Sequence, residues 1–141
     1  VSTAERKRLG VRLLTPEGTV FDGVAAMVVA PSAAGEIGLL PRHEPLVCAL
    51  KPGETRLRML DDSTQVFATA EGYLSIGEDR VLILVEQAEE ASQIDMAAAE
   101  AALRQAEEAV DAAGGDDAAR VAAEAARRRA ENRVRVAGAR R

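Results

Sequence analysis

Tryptophan is absent, the aromatics together make up 2% of the chain, and histidine and cysteine occur once each. So few aromatic rings leave almost nothing on which bases could stack, and a net charge of −5 supplies no general basic stripe; a nucleic-acid binder is excluded as the main reading. A single thiol, Cys48, cannot close an internal disulfide, which points to a reducing compartment. Its apolar neighbours Val47 and Ala49 mark it as a small buried hydrophobe. No apolar run reaches the roughly 18 residues needed to cross a bilayer, and no signal-peptide pattern is seen, so any membrane association is expected to come through a partner.

The usual catalytic patterns are missing as well. No Gly-rich loop ends in Gly-Lys-Ser/Thr, no Cys or His ligands stand at zinc spacing, and no Ser or Cys nucleophile is evidently poised with His43. The pairs Asp61-Asp62 and Asp116-Asp117 sit at turn positions, where turn chemistry accounts for them. The chain is therefore read as non-catalytic, without a metal or a resident cofactor.

The sequence does contain two textures in series. The first, a compact β domain, spans residues 1–87, of which 1–8 form a polar arm. Val11, Leu13 and Thr15 keep a period of two, and Pro16-Glu17-Gly18 signals a turn. A second short strand is expected over 19–21, a turn at Asp22-Gly23, and a strand buried on both faces over 24–30 that Pro31 ends. Residues 32–38 read as a loop and 46–50 as a strand. Hairpins follow around Asp61-Asp62-Ser63, with Arg56 and Arg58 on the face opposite Leu57 and Met59, and around Gly77-Glu78-Asp79. Many short strands at this spacing indicate a sandwich or barrel.

From residue 88 to 141 the period becomes helical. Ser92 to Asp95 resembles a capping box, and Met96, Ala99, Leu103, Ala106 and Val110 form a seam. Gly114-Gly115 stops that helix, Asp116 or Asp117 caps the next, and Ala119, Ala123, Ala126 and Ala130 continue the spacing towards Gly138. A short Gly-Gly turn makes the pair antiparallel. Alanine buries little area at roughly 25 cal/mol per Å² yet favours helix strongly. The hairpin is then either a movable element, with persistent helices on a weak seam, or a static alanine-packed pair. Its charge is polarised: acids dominate from Glu86 to Asp117, with Arg104 opposed to them, and arginines dominate from Arg120 onwards. Opposite charge favours the closed hairpin. The surplus on Arg127, Arg128, Arg129, Arg133 and Arg135 is either a solvated face or a docking surface for acidic protein or phosphate.

One stretch stands apart. Residues 35–46 mix rigid Pro, flexible Gly, apolar side chains and charge. They read equally as a contact loop presenting Ile37, Leu39 and Leu40 beside Glu36 and His43, or as a crossover whose leucines point inward. Gly35-Glu36-Ile37-Gly38-Leu39-Leu40-Pro41-x-His43-x-Pro45-Leu46 resembles the signature loop of the epsilon subunit of F-type ATP synthases. The resemblance continues, in order, through Lys51-Pro52-Gly53, Ala70-Glu71-Gly72-Tyr73-Leu74, Val81 to Val85, Ala88-Glu89-x-Ala91-x-x-Ile94-Asp95 and Arg129-Ala130-x-Asn132-Arg133-Val134-x-Val136-Ala137.

That resemblance implies a β-sandwich of about ten strands followed by a two-helix hairpin. It implies a central-stalk rotor subunit of a proton-translocating synthase, monomeric when isolated and peripheral on the cytoplasmic face of the cell membrane, bound to gamma and to the ring of c subunits. Glu36 and His43 match the ring-contacting acid and histidine; Arg42 replaces a common Gly between Pro41 and His43 and adds a charge there. The C-terminal helices are implied to inhibit ATP hydrolysis, with Arg127, Arg128, Arg129, Arg133 and Arg135 meeting an acidic segment of the catalytic β subunit. A family site for ATP would use Glu89, Ile94, Asp95, Arg129 and Arg133, but Ala98 and Gln105 replace two of its arginines. Each lost charge-assisted bond removes about 1.5–3 kcal/mol, so weak ATP binding or none is expected. The competing readings are a stand-alone β-sandwich binding module with a helical oligomerisation tail, and an enzyme using Glu36 and His43 as an acid–base pair.

Overall fold

The computed structural model describes residues 8–139, so the arm expected over 1–8 lies outside them except for Arg8. Ten strands come first: β1 (Leu9–Thr15), β2 (Gly18–Ala25), β3 (Met27–Ser32), β4 (Gly35–Leu39), β5 (Leu46–Leu50), β6 (Gly53–Arg58), β7 (Thr64–Thr69), β8 (Gly72–Gly77), β9 (Arg80–Val85) and β10 (Ala88–Glu90). After a 3₁₀ turn at Ala91–Gln93 come two helices, α1 (Met96–Ala113) and α2 (Asp117–Gly138). The chain divides between Glu90 and Ala91 into two compact units. Ten strands followed by two helices is the expected class of fold.

The strands run β10-β7-β6-β3-β5-β8-β9-β1-β2 across the sheet, with β4 against β3. Among the described residues every pair is antiparallel except β1 with β9. The alternation read from the sequence fixes the buried face: Leu9, Val11 and Leu13 of β1 meet Val81 and Ile83 of β9, with Val28, Leu57 and Leu74, all almost fully buried. Cys48 packs partly buried against this core, and burial raises its thiol pKa.

Several local expectations are corrected. Asp22-Gly23 is no turn; both lie inside β2, where Gly23 pairs with Val11 and the Phe21 ring covers the space a side chain at 23 would take. Residues 24–30 are not one doubly buried strand, because the chain breaks at Ala26, whose N–H donates to the Arg58 carbonyl, and Val24 is exposed. Pro31 does not end β3. On that side β3 changes partner from β6, at Val29, to β5, at Ser32, so the missing proline donor falls in the gap between two neighbours. Residues 32–38 are not a loop: Ala33 and Ala34 turn β3 into β4, with Gly35 at φ +133° and Ser32 Oγ donating to its carbonyl. Residues 88–90, expected to open the helical part, form β10 on β7. Three residues are too few for a period to show.

In the helical unit Asp95, not Ser92, caps α1; its carboxylate accepts the Ala98 N–H at 3.2 Å. Gly114 follows α1 at φ +54°, and Asp116 caps α2 by accepting the Ala119 N–H at 3.1 Å. The helices are antiparallel, so that Met96 at the start of α1 lies beside Gly138 at the end of α2. The buried seam of α2 is Ala123, Ala130, Asn132, Val136 and Ala137; Ala119 and Ala126 are exposed, and α2 runs through Gly138.

Candidate functional site

The stretch 35–46 contains both of the alternatives read from it. β4 alternates, so Leu39 is fully buried and Ile37 packs on the core, while Glu36 faces outwards. Beyond β4 the chain leaves the sheet: Leu40 is 51% exposed, and Pro41-Arg42-His43 form a tight turn closed by the His43 N–H donating to the Leu40 carbonyl at 3.1 Å. Pro41 supplies the fixed φ of a type II turn, whose next position needs positive φ. Arg42 occupies it at φ +70°. The sequence alone offered no means by which an arginine could hold a glycine's conformation. The structure supplies one: the Arg42 N–H donates to Asp79 Oδ1 at 2.6 Å, from the turn between β8 and β9.

Glu36 and His43 are not paired with each other. The Glu36 carboxylate takes the Arg56 guanidinium at 2.9 and 3.3 Å, and His43 Nδ1 donates to the neighbouring Glu44 carbonyl at 2.7 Å. Glu36 stands opposite Pro31 and Arg56 opposite Val29, two residues along β3, so their side chains meet across that strand. Glu54 adds a second acid 3.5 Å from the same guanidinium. The Arg56 hydrogen bond, then its charge, holds the Glu36 carboxyl below the usual value of 4.5, and the Glu36 bond raises Arg56. Glu36 is engaged by Arg56 and His43 by the Glu44 carbonyl, so the geometry offers no Glu36–His43 pair for the acid–base reading.

This pair has a testable consequence for stability. A depressed folded pKa gives stability that is present above the ordinary value near 4.5 and lost as pH falls through the lower folded value. Arg56→Gln should therefore destabilise the chain at pH 7 and lose that effect at a pH well below 4.5, once Glu36 is protonated in the folded chain too. The pair is largely exposed, so the difference should be about 0.5 kcal/mol or less. Urea unfolding of both chains at the two pH values measures it; an equal difference at both would refute the linkage.

A second surface was not read from the sequence. Ala49, Tyr73, Leu84 and Leu14 form one cross-strand row over β5, β8, β9 and β1, with Val47 beside it. Val47, Tyr73 and Leu84 are 73%, 63% and 46% exposed. A shallow, mainly apolar groove of about 600 Å³ continues past Pro16 to a rim at Glu71 and Glu86. The signal was the outward half of each alternation, but its contiguity depends on pairings between distant strands.

On α2, Arg128 and Arg135 are exposed and seven residues apart, hence on one face, while Arg127, Arg129 and Arg133 are half-buried. Arg127 pairs with Glu131 at 3.5 Å, and Arg135 donates to the buried Asn132 side chain at 2.7 Å. Of the residues matched to an ATP site, Glu89 lies on β10, Ile94 is buried, Asp95 is engaged as the α1 cap, and Ala98 and Gln105 are exposed on α1. Among the described residues no helix is long and apolar enough to cross a membrane, and no group of three His, Cys, Asp or Glu could hold a metal.

The architecture is thus a ten-stranded sheet unit with an exposed apolar row, followed by an antiparallel helical hairpin. Residues 8–91 match the family model for the β-sandwich domain of the ATP synthase delta/epsilon chain, and residues 92–138 match its long α-helix domain. An ATP synthase epsilon chain of Acidithiobacillus ferridurans is 44% identical over 99 residues, 70% of each chain. One of Desulforamulus reducens is 39% identical over 113 residues, 80% of this chain and 83% of that one. The fold is shared with a chain in the Euglena gracilis mitochondrial ATP synthase structure of OSCP, F1 and c-ring, at TM-score 0.75 and 21% identity over 89% of this chain and 79% of that chain. It is shared also with a chain in the Tetrahymena thermophila central stalk and c-ring structure, at TM-score 0.58 and 15% identity over 92% and 96%. The chain belongs to the delta/epsilon family of ATP synthase subunits, as an epsilon chain, and is an accessory subunit rather than an enzyme.

Proposed function

We propose that the chain is the rotor subunit that links gamma to the c-ring in a proton-translocating F-type ATP synthase, on the cytoplasmic face of the membrane and attached to it only through the complex. The observation that carries this reading is the family match through both units in chain order, 8–91 and then 92–138. In it, the outward side of the 36–43 segment meets the polar loops of the ring through Glu36, Arg42 and His43. The apolar row at Val47, Tyr73 and Leu84 seats gamma, since a large exposed apolar patch is suited to a permanent partner. The hairpin inhibits ATP hydrolysis when Arg127, Arg128, Arg129, Arg133 and Arg135 meet an acidic segment of the β subunit; contacts of that kind weaken with salt. ATP acts on it weakly or not at all, because Ala98 and Gln105 supply no cation.

Cross-linking in the assembled complex tests the ring contact. Cys48 is first replaced by Ala so that it does not compete. His43→Cys is then expected to form a disulfide with a cysteine placed in the polar loop of the ring subunit. Reaction of that thiol with solvent reagents alone would refute the assignment of this segment to the ring.

A further inference from the structure

Two turns far apart in sequence meet at one carboxylate. Arg42, on the exposed turn after β4, is at φ +70°, in the left-handed region that side-chain-bearing residues rarely occupy. Its N–H donates to Asp79 Oδ1 at 2.6 Å. Asp79 belongs to the two-residue turn Glu78-Asp79, at φ +51° and +61°, which closes the β8–β9 hairpin where Gly77 pairs with Arg80. Its own carbonyl accepts the Gly10 N–H of β1 at 2.8 Å. One residue thus ties the tip of the 40–43 turn to β8, β9 and β1.

We infer that Asp79 is a positioning residue for the ring-contacting turn, keeping Arg42 left-handed and so fixing where Arg42 and His43 point. This rests on the proposed reading of that turn as the ring contact. An N–H bond to an ionised acceptor is stronger than one between neutral groups, and it acts at the residue least able to keep its conformation unaided. The turn is already anchored at its base, since β4 pairs with β3 and β5 with β8. Without Asp79 its tip would sample negative φ at Arg42, carry His43 with it, and have to be reordered at each docking. A glycine at 42 adopts φ +70° freely and would not need the clamp.

The test uses the full-length chain in five forms: wild type, Asp79→Gly, Asp79→Asn, Arg42→Gly, and Asp79→Gly combined with Arg42→Gly. Glycine suits φ +61° at position 79, so the first variant removes the carboxylate without disturbing its own turn. Hydrogen exchange of the Arg42 amide, in the isolated chain, reads the clamp with no partner present. Titration of each form into a complex depleted of this subunit, followed by ATP-driven proton pumping, reads docking.

Asp79→Gly should speed Arg42 amide exchange about tenfold or more and raise the concentration for half-restored pumping several-fold. Asp79→Asn, whose Oδ1 still accepts but without charge, should fall between wild type and Asp79→Gly in both. Arg42→Gly alone loses the contact its side chain makes, and the double variant should titrate no worse than Arg42→Gly, because a glycine at 42 does not need the carboxylate. Unchanged exchange in Asp79→Gly would overturn the clamp whatever the turn binds. Faster exchange with unchanged titration would overturn the positioning role, as would a double variant that titrates several-fold worse than Arg42→Gly. Failure of the His43 cross-link, with the exchange result intact, would count against the ring reading instead.

Discussion

Gly72→Ala is expected to stop the sheet unit from reaching its native packing. Gly72 opens β8 and pairs with Leu50 on one side and Val85 on the other. A β-carbon there would stand 1.9 Å from the Leu84 carbonyl oxygen and 2.7 Å from the Val85 α-carbon. Both are backbone atoms of β9, so no rotamer change relieves the clash; two strands of the sheet would have to separate. The loss should exceed about 3 kcal/mol, the range reached only by a specific steric or packing failure. Gly77, at the other end of β8, is the control, because a β-carbon there meets nothing within 4 Å. Gly77→Ala should change stability by less than about 1 kcal/mol. Thermal unfolding of the full-length variants by circular dichroism decides it; equal midpoints for the two would show that β8 and β9 can part at that point.

Truncation after Glu90 should leave a folded sheet unit and raise ATP hydrolysis of the reconstituted complex several-fold. The site of the cut matters. Ending the chain after residue 87 would remove β10, whose three residues pair with Thr69, Ala68 and Phe67 of β7, and Phe67 belongs to the core. That shorter chain would expose the β7 edge and report destabilisation together with loss of the helices. Cutting after Glu90 separates the two effects. Hydrolysis that stays at the level of the full-length complex would refute an inhibitory hairpin, provided the truncated chain is shown to be retained in the complex.

How much was legible in the sequence differs from place to place for physical reasons. The alternation in β1 and β6 is strong because one face of each is buried, so Val11, Leu13 and Leu57 announced the core, whereas 81–85 is apolar throughout and does not mark which of its residues turn inwards. Residues 32–38 misled because Gly35 and Gly38 signal loops, while the strand they belong to is set by pairing with β3. Pro31 misled for the same reason: its tolerance depends on a change of partner that no local pattern records. At the candidate site Glu36 faces outwards and Arg42 and His43 lie in the turn, but Arg56 and Asp79, which hold two of these residues, carried no signal in the sequence. Each lies 20 or more residues from the residue it holds. Asn132 went unremarked as a buried residue because a polar side chain on an alanine-rich helix reads as solvated until its neighbours are known.

The lone parallel pairing has a consequence for the order in which the chain can assemble. Gly10 of β1 pairs with Arg80 of β9, seventy residues on, whereas its other neighbour β2 follows directly. During synthesis the first hairpin therefore emerges early, with one edge open, and stays unsealed until nearly the whole sheet has left the ribosome. The helices, built from local contacts, emerge after the sheet and can form within microseconds. Closure of β1 onto β9 therefore waits for residues 80–84, and Gly72 and Asp79 both lie in the segment that must arrive before it.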